Sequence, residues 1–428
     1  MRTKTNIVSR CDSGLRKVLF LALIVAGIAV AGAVNAAVVG VTGTNFQLTA
    51  KAGYIQGGDG ATIYMWGYAP DGGTMQIPGP TLIVNEGEVI TVTLSNDLNE
   101  PVSIFFPGQT DVTATGGSPG LLAQEAAASG GSVVYEFTAS APGTYQYHSG
   151  SNTALHVEMG LVGALIVNPA TAGQAYDDPK TAFDEEYLFV FAEIDPAIHE
   201  AAEAGFPVDM TTRDPKYWLL NGRTAPDCLF PDGIPWLPSQ PYGALAITSP
   251  GHNVLIRAVG AGSDIHPMHY HGANYRVIAR DGRMHESEPG VSGADAGEED
   301  NTMNIAAGQT IDAIWTWTND ELGWDVFGHS PSDPCESTKE ICDTNNPLYA
   351  HGKPLPVALP QQQFMTFGGF WSGSPFLGEE GVMPPGEGGL NVAGGFFHIW
   401  HSHTEKELCN YDIFPGGILT FVIVLPPN

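Results

Sequence analysis

From residue 38 onward the chain alternates short apolar runs with turn-forming clusters. Runs rich in Val, Ile, Thr, Tyr and Phe occupy 81–94, 132–138, 161–167, 245–259 and 418–425, and the sequence's 53 Gly and 32 Pro punctuate the intervals. Successive side chains of a strand point to opposite faces, so strict alternation marks a half-buried strand. Alternation is clear at 89–94, where Val89, Thr91 and Thr93 share one face and Ile90, Val92 and Leu94 the other. Helix-like stretches are few, and 196–205, rich in Ala and Glu, is the best of them. Many short strands with frequent turn signals predict an all-β protein of sandwiches or barrels, not a parallel sheet flanked by helices.

The same pattern divides the chain. Residues 38–168 close on an apolar strand, 169–182 are polar and loop-like, and 183–428 form a second, larger unit. The excess of the second unit lies in an acidic loop, 281–308, and in a Gly/Pro-rich stretch, 319–395. Both units end on one plan, a His-bearing strand followed by a Gly turn and an apolar strand, at 143–167 and 395–424. Residues 1–36 have the form of a signal peptide: five basic residues, an apolar run at 19–34, and small residues at a Val-Asn-Ala site ending at Ala36. Export to the periplasm or the extracellular space is the expectation, with an uncleaved N-terminal anchor as the alternative. No later apolar run has the roughly 20 residues a membrane span needs, so none is expected in the mature chain.

Charge narrows the partners. The leader holds five of 17 Lys+Arg and one of 46 Asp+Glu, leaving 12 bases against 45 acids. Such a field repels nucleic acid and anionic membranes and attracts cations. Cys228, Cys335, Cys342 and Cys409 lie beyond the leader. An even number in an exported chain suggests disulfides. Cys335 and Cys342 bracket a short polar loop, and Cys228 with Cys409 would follow by elimination.

Thirteen histidines occur, and three groups stand out: His266, His269 and His271; His398, His401 and His403; and His148 with His156 downstream. Residues i and i+2 of a strand face the same way, so His269 pairs with His271 and His401 with His403. Two such pairs on neighbouring strands place four imidazoles around one or two metal ions, and imidazole suits copper, zinc, iron and nickel. His199, His252, His285, His329 and His351 read as surface or packing residues.

At these residues the chain resembles the multicopper oxidases, a superfamily built from cupredoxin domains. The resemblance runs through PGPTLIVNEGEVITVTLSNDL at 78–98, GTYQYHSG with MGLVGALIV at 143–167, NGRTAPD at 221–227, HPMHYHG at 266–272 and HSH…FPGGILT at 401–420. It implies two cupredoxin-like Greek-key domains, the second with long insertions. It also implies a metal set at His148, His269, His271, His401 and His403, five of the eight ligands of the family's three-copper oxygen site. The other positions depart. Phe105-Phe106-Pro107-Gly108 stands for His-x-His-Gly, and Gly150 replaces the second His of His-x-His. Ser402 replaces the cysteine of His-Cys-His, Glu407 replaces the later His, and only His266 remains of the blue copper's ligands. Cys409 is too far along the chain to stand in for that cysteine.

The resemblance therefore implies copper, in fewer ions than a full four-copper set, and zinc suits the same imidazoles. Three functions follow: an oxidoreductase of reduced type acting on a small molecule or metal ion, a non-catalytic copper-binding protein, or a structural protein on a retired oxidase scaffold. Two-domain members of the family share their site between neighbouring subunits, which implies a homotrimer with His148 supplied across the interface.

Overall fold

The computed structural model describes residues 38–318, 332, 352–353 and 396–425. Every strand of the first two large sheets lies between Val41 and Asn168, and every strand of the other two lies between Glu185 and Val424. The first unit stacks a sheet ordered Val41–Thr42, Gly79–Asn85, Val162–Asn168, Gly143–His148 against one ordered Thr62–Pro70, Asn45–Gln56, Val89–Asn96, Gly131–Thr138, Thr113–Gly116. Its core includes Phe46, Leu82, Ile90, Val92, Leu94, Phe106, Phe137 and Tyr147, all under 4% exposed. The 89–94 alternation is realised: Ile90, Val92 and Leu94 are buried, while Val89, Thr91 and Thr93 are not.

Two runs that look continuous in the sequence are broken. The run 81–94 splits into Gly79–Asn85 and Val89–Asn96, which belong to different sheets. Gly87 sits at φ 81 between them, and Glu88 Oε2 accepts from Asn85 N at 2.8 Å. The run 245–259 splits at Pro250-Gly251, with Gly251 at φ 73. Apolar composition marks both halves, but only a residue tolerant of positive φ lets the chain cross from one sheet to the other. The helix expected at 196–205 forms as Pro196–Glu203: Pro196 pre-sets its first turn, Asp195 caps it by accepting from Ala197 N, and Gly205 follows at φ 70.

The second unit has a sheet ordered Tyr217–Leu220, Glu185–Ile194, Asn253–Gly260, Thr310–Thr316, Tyr275–Arg280, Arg283–Met284. The other sheet runs Ala246–Thr248, Leu419–Val424, Phe396–Ser402, His266–Tyr270, Thr302–Ile305. The acidic stretch 281–308 contributes edge strands to both sheets. Between the sheets pack Phe189, Phe191, Trp315, Trp400, Tyr270, Tyr275 and Val422. The units meet through apolar side chains. Ile55, Ile63, Met65 and Ile77 of the first cluster with Ile194, Tyr217 and Leu219 of the second, and Val162 and Ala164 with Val190, Val259 and Ala261. Burying each larger aliphatic side chain contributes about 1.5–3 kcal/mol.

The Cys228–Cys409 pairing reached by elimination does not form. Both are free thiols, and the buried Cys228 Sγ donates to Leu419 O at 3.0 Å. Cys335 and Cys342, with most of the 319–395 insertion, lie outside the described residues.

Gly222 sits at φ 77, and a Cβ there would stand 2.0 Å from the carbonyl oxygen of Ile77 in the first unit. Gly222→Ala is expected to cost on the order of 2 kcal/mol or more, from left-handed strain plus displaced backbone. Urea unfolding should show the loss.

Candidate metal centre and the network behind it

The strand His266–Tyr270 lies antiparallel to Phe396–Ser402, with Met268 opposite Ser402, His269 opposite His401 and Tyr270 opposite Trp400. Side chains at 268, 270, 400 and 402 face the core, where all four are fully or almost fully buried. The histidines face outward. His269 and His271 have ring centroids 4.7 Å apart, His269 and His403 5.0 Å, His271 and His401 5.3 Å, and His401 and His403 5.5 Å. Four of the five residues in the implied set are thus one cluster. His148 stands apart from it, its ring edge-on to Phe105 at 5.6 Å.

Tautomers are set by what each Nδ1 meets. His401 Nδ1 bonds to Ser402 O at 2.8 Å, and His148 Nδ1 bonds to Ser149 O at 2.9 Å, the same local geometry in both units. Both Nδ1 atoms must carry the proton, which leaves Nε2 as the lone-pair nitrogen. His269 Nδ1 meets Thr302 Oγ1 at 2.7 Å. His271 Nε2 and His401 Nε2 are 3.3 Å apart. A tetrahedral ion with metal–nitrogen bonds of about 2.0 Å spaces its donors roughly 3.3 Å apart, so this pair has the bite of one ion. Among the described residues no three His, Cys, Asp or Glu side chains converge on one point. The pair is ready, and His269 and His403 border it.

His269, His271 and His401 are held toward the neutral form that ligation requires. Burial, and then the neighbouring imidazoles His401, His269 and His403, pull His271 down to about 4. Burial also lowers His269 and His401, with a like-charge contribution from His403 in each case. Burial lowers His148, against its bond to Ser149 O. His398, grouped with His401 and His403 in the sequence, belongs to the other face. It is fully buried, packs against Trp315 and Trp317, and is pushed down to about 3 by burial.

On the core side, the positions the resemblance gives to a blue copper form a hydrogen-bonded network. Ser402 Oγ donates to Glu407 Oε2 at 2.6 Å. His266 bonds through Nδ1 to Glu407 Oε2 and through Nε2 to Glu193 Oε2, each at 3.0 Å. Both nitrogens of His266 are occupied and no thiolate is present, so these residues do not fit a blue copper, which needs one Cys and two His. Burial opposes charge on His266, but its bonds to the two carboxylates outweigh burial and raise it to about 9. Arg213 extends the network, donating to Glu193, to Glu158 of the first unit, and to Asp264 at 3.2 Å. Glu193 and Arg213 escaped the sequence reading. The available signal was a lone Glu in the apolar run 189–194.

The first unit repeats the exchange. Ser149, following His148, bonds to His156 Nδ1 at 2.7 Å, and His156 Nε2 meets Glu100 at 3.1 Å. His156 is a packing residue, fully buried against Trp66.

Paired β-sandwiches with a histidine cluster on the outer face of the second unit's strands define the cupredoxin-like multicopper-oxidase fold. Known structures agree. The blue copper oxidase of Nitrosomonas europaea superposes with a TM-score of 0.55 at 19% identity, covering 88% of this chain and 85% of that one. The multicopper oxidase mgLAC gives 0.55 at 19%, over 90% and 87%. Two family signatures described as multicopper oxidase match residues 70–172 and 232–322 of this chain, one in each unit. Laccase 1 of Metarhizium robertsii is 36% identical over 129 residues, 27% of this chain and 21% of that protein. The copper-containing nitrite reductase of Alcaligenes xylosoxydans is 33% identical over 161 residues, 34% of this chain and 47% of that protein. The chain thus spans about a fifth of the laccase and about half of the nitrite reductase.

The His266 proton makes stability pH-dependent. A folded-state pKa raised from 6.5 to about 9 gives stability that is complete below pH 6.5 and lost as pH rises through 9. Denaturant titrations from pH 6 to 10 should show this decline, and His266→Gln should flatten it.

Proposed function

We propose that this protein is an exported copper-dependent oxidoreductase with a histidine-only centre and no blue copper. The observation that carries the reading is the 3.3 Å separation of His271 Nε2 and His401 Nε2 within a cluster of four imidazoles. The two multicopper oxidase signatures favour copper over zinc, which the same ligands suit. A bound copper ion would supply one-electron chemistry and an open position for a small oxidant such as dioxygen. The chain's own residues do the rest. His271 and His401 hold the ion, Thr302 orients His269, and the exposed His403 faces incoming solute. The surplus of acidic residues favours cationic small molecules or metal ions as substrates.

His148 completes the set from a neighbouring copy in a closed homotrimer. In support, its Nδ1 is fixed as that of His401 is, and its ring is not gathered with the four. Export rests on the leader's composition. No helix among the described residues is long and apolar enough to cross a membrane. A second reading, copper binding without turnover, is favoured by Ser402, since loss of the thiolate removes the family's electron entry.

Metal analysis and absorption spectra of protein from copper-supplied cells test the proposal. The expected result is fewer than four coppers per chain, no blue band, a trimeric mass, and oxygen consumption with a phenolic or metal-ion reductant. His271→Ala and His401→Ala should each lower copper content, and His148→Ala should lower it without unfolding the chain. Absence of bound metal, or a strong blue band, would sink the reading. Bound copper without oxygen consumption selects the second.

Because His271 takes up a proton only near pH 4, protons compete poorly for it above that value. Copper content should hold from pH 7 to 5 and fall below about 4, measured after dialysis at each pH.

A further inference from the structure

Glu407 holds both histidine-bearing strands at once. One carboxylate oxygen, Oε2, accepts from Ser402 Oγ at 2.6 Å and from His266 Nδ1 at 3.0 Å. His266 opens the strand that carries His269, and His271 lies one residue beyond that strand's end. Ser402 closes the other strand, between His401 and His403. The ladder joining these strands has only three residue pairs, from Met268–Ser402 to Tyr270–Trp400. Backbone bonds from His271 N to Ile399 O at 3.2 Å and from His403 N to Pro267 O at 2.8 Å extend it at its two ends and hold the register, and Glu407 adds a side-chain tie at the end where Ser402 leads into His403. Glu407 is 2% exposed, and a carboxylate that deep must keep its donors, which makes the contact a stiff one.

The contact is also braced from behind. His266 Nε2 reaches Glu193, whose other oxygen accepts from Ser263 N, Asp264 N and Arg213. Arg213 continues to Glu158, the last residue of the helix Thr153–Glu158 in the first unit. That helix also carries His156, bonded to Ser149 beside His148.

We infer that Glu407 is a positioning residue for the four-histidine cluster, fixing His401 and His403 against His269 and His271 through Ser402 and His266. The Glu193–Arg213–Glu158 chain ties that clamp to the first unit. Glu407 stands where the family has a histidine, and here it secures the metal-binding face from the opposite side of the sheet. The inference deepens the histidine-only centre proposed above and rests on that reading for its metal measurement alone.

The test uses full-length Glu407→Ala, Glu407→Gln and Ser402→Ala. Long-range 1H–15N spectra of the metal-free proteins report the ring nitrogens, and competition titration with zinc reports affinity. Glu407→Ala should shift the His271 and His401 ring resonances and weaken zinc binding by about 10- to 100-fold, the range for lost partners behind a metal site. Ser402→Ala, a smaller change that keeps the His266–Glu407 bond, should move both readouts the same way by less. Ser149→Ala, the matching change in the first unit, should leave the four rings' resonances in place. Wild-type ring resonances and zinc affinity in Glu407→Gln and Ser402→Ala would overturn the inference. If Glu407→Ala does not fold, those two variants decide. If the wild type takes no zinc, the same titration is run with copper, absence of both metals sinks the metal reading, and the ring resonances still decide the positioning role.

Discussion

The antiparallel pairing of His266–Tyr270 with Phe396–Ser402 in one register is the constraint on which the site depends. Strand side chains alternate, so a slip of one residue would turn His269 and His401 into the core and put Met268 and Ser402 outside. Register is secured from the core side. Met268, Tyr270 and Trp400 pack against Phe189, Tyr275 and Trp315. Trp400 Nε1 also donates to His271 O at 3.2 Å, which ties the last histidine of one strand to the core of the other.

Behind that register, a buried imidazolium lies between two carboxylates in the pocket that the family resemblance gives to blue copper. The chemistry of the exchange is consistent. A cation is kept, but it is the proton on His266, shared between Glu193 and Glu407. Serine in place of cysteine supplies a hydroxyl donor where the carboxylate needs one. Buried ion pairs carry a heavy desolvation cost and add little net stability against an apolar core. Their return here is geometric, because every member is bonded and each bond joins a different structural element.

Much of this was legible in the chain. The alternation at 89–94, the capped helix after Asp195 and the i, i+2 histidine pairs are local patterns, and local patterns survive folding when one face has a core to meet. The broken runs at Glu86–Glu88 and Pro250-Gly251 were harder to read, because composition cannot show that two halves of an apolar run join different sheets. Glu193 and Arg213 were harder still. Each reads alone as an ordinary charge, and their partners lie 73 and 55 residues away.

By itself, the sequence determined the β architecture, the faces on which His269, His271, His401 and His403 fall, and the absence of a cysteine at 402. Those properties follow from periodicity and residue identity. Only the tertiary structure decided that the two histidine pairs meet across one ladder, that His398 turns inward beside Trp315, that Cys228 and Cys409 stay unbonded, and that Glu407 closes on both Ser402 and His266. Each of these depends on which distant segments share a sheet. That choice belongs to the packing of the whole core, since no single segment can bury its apolar face alone.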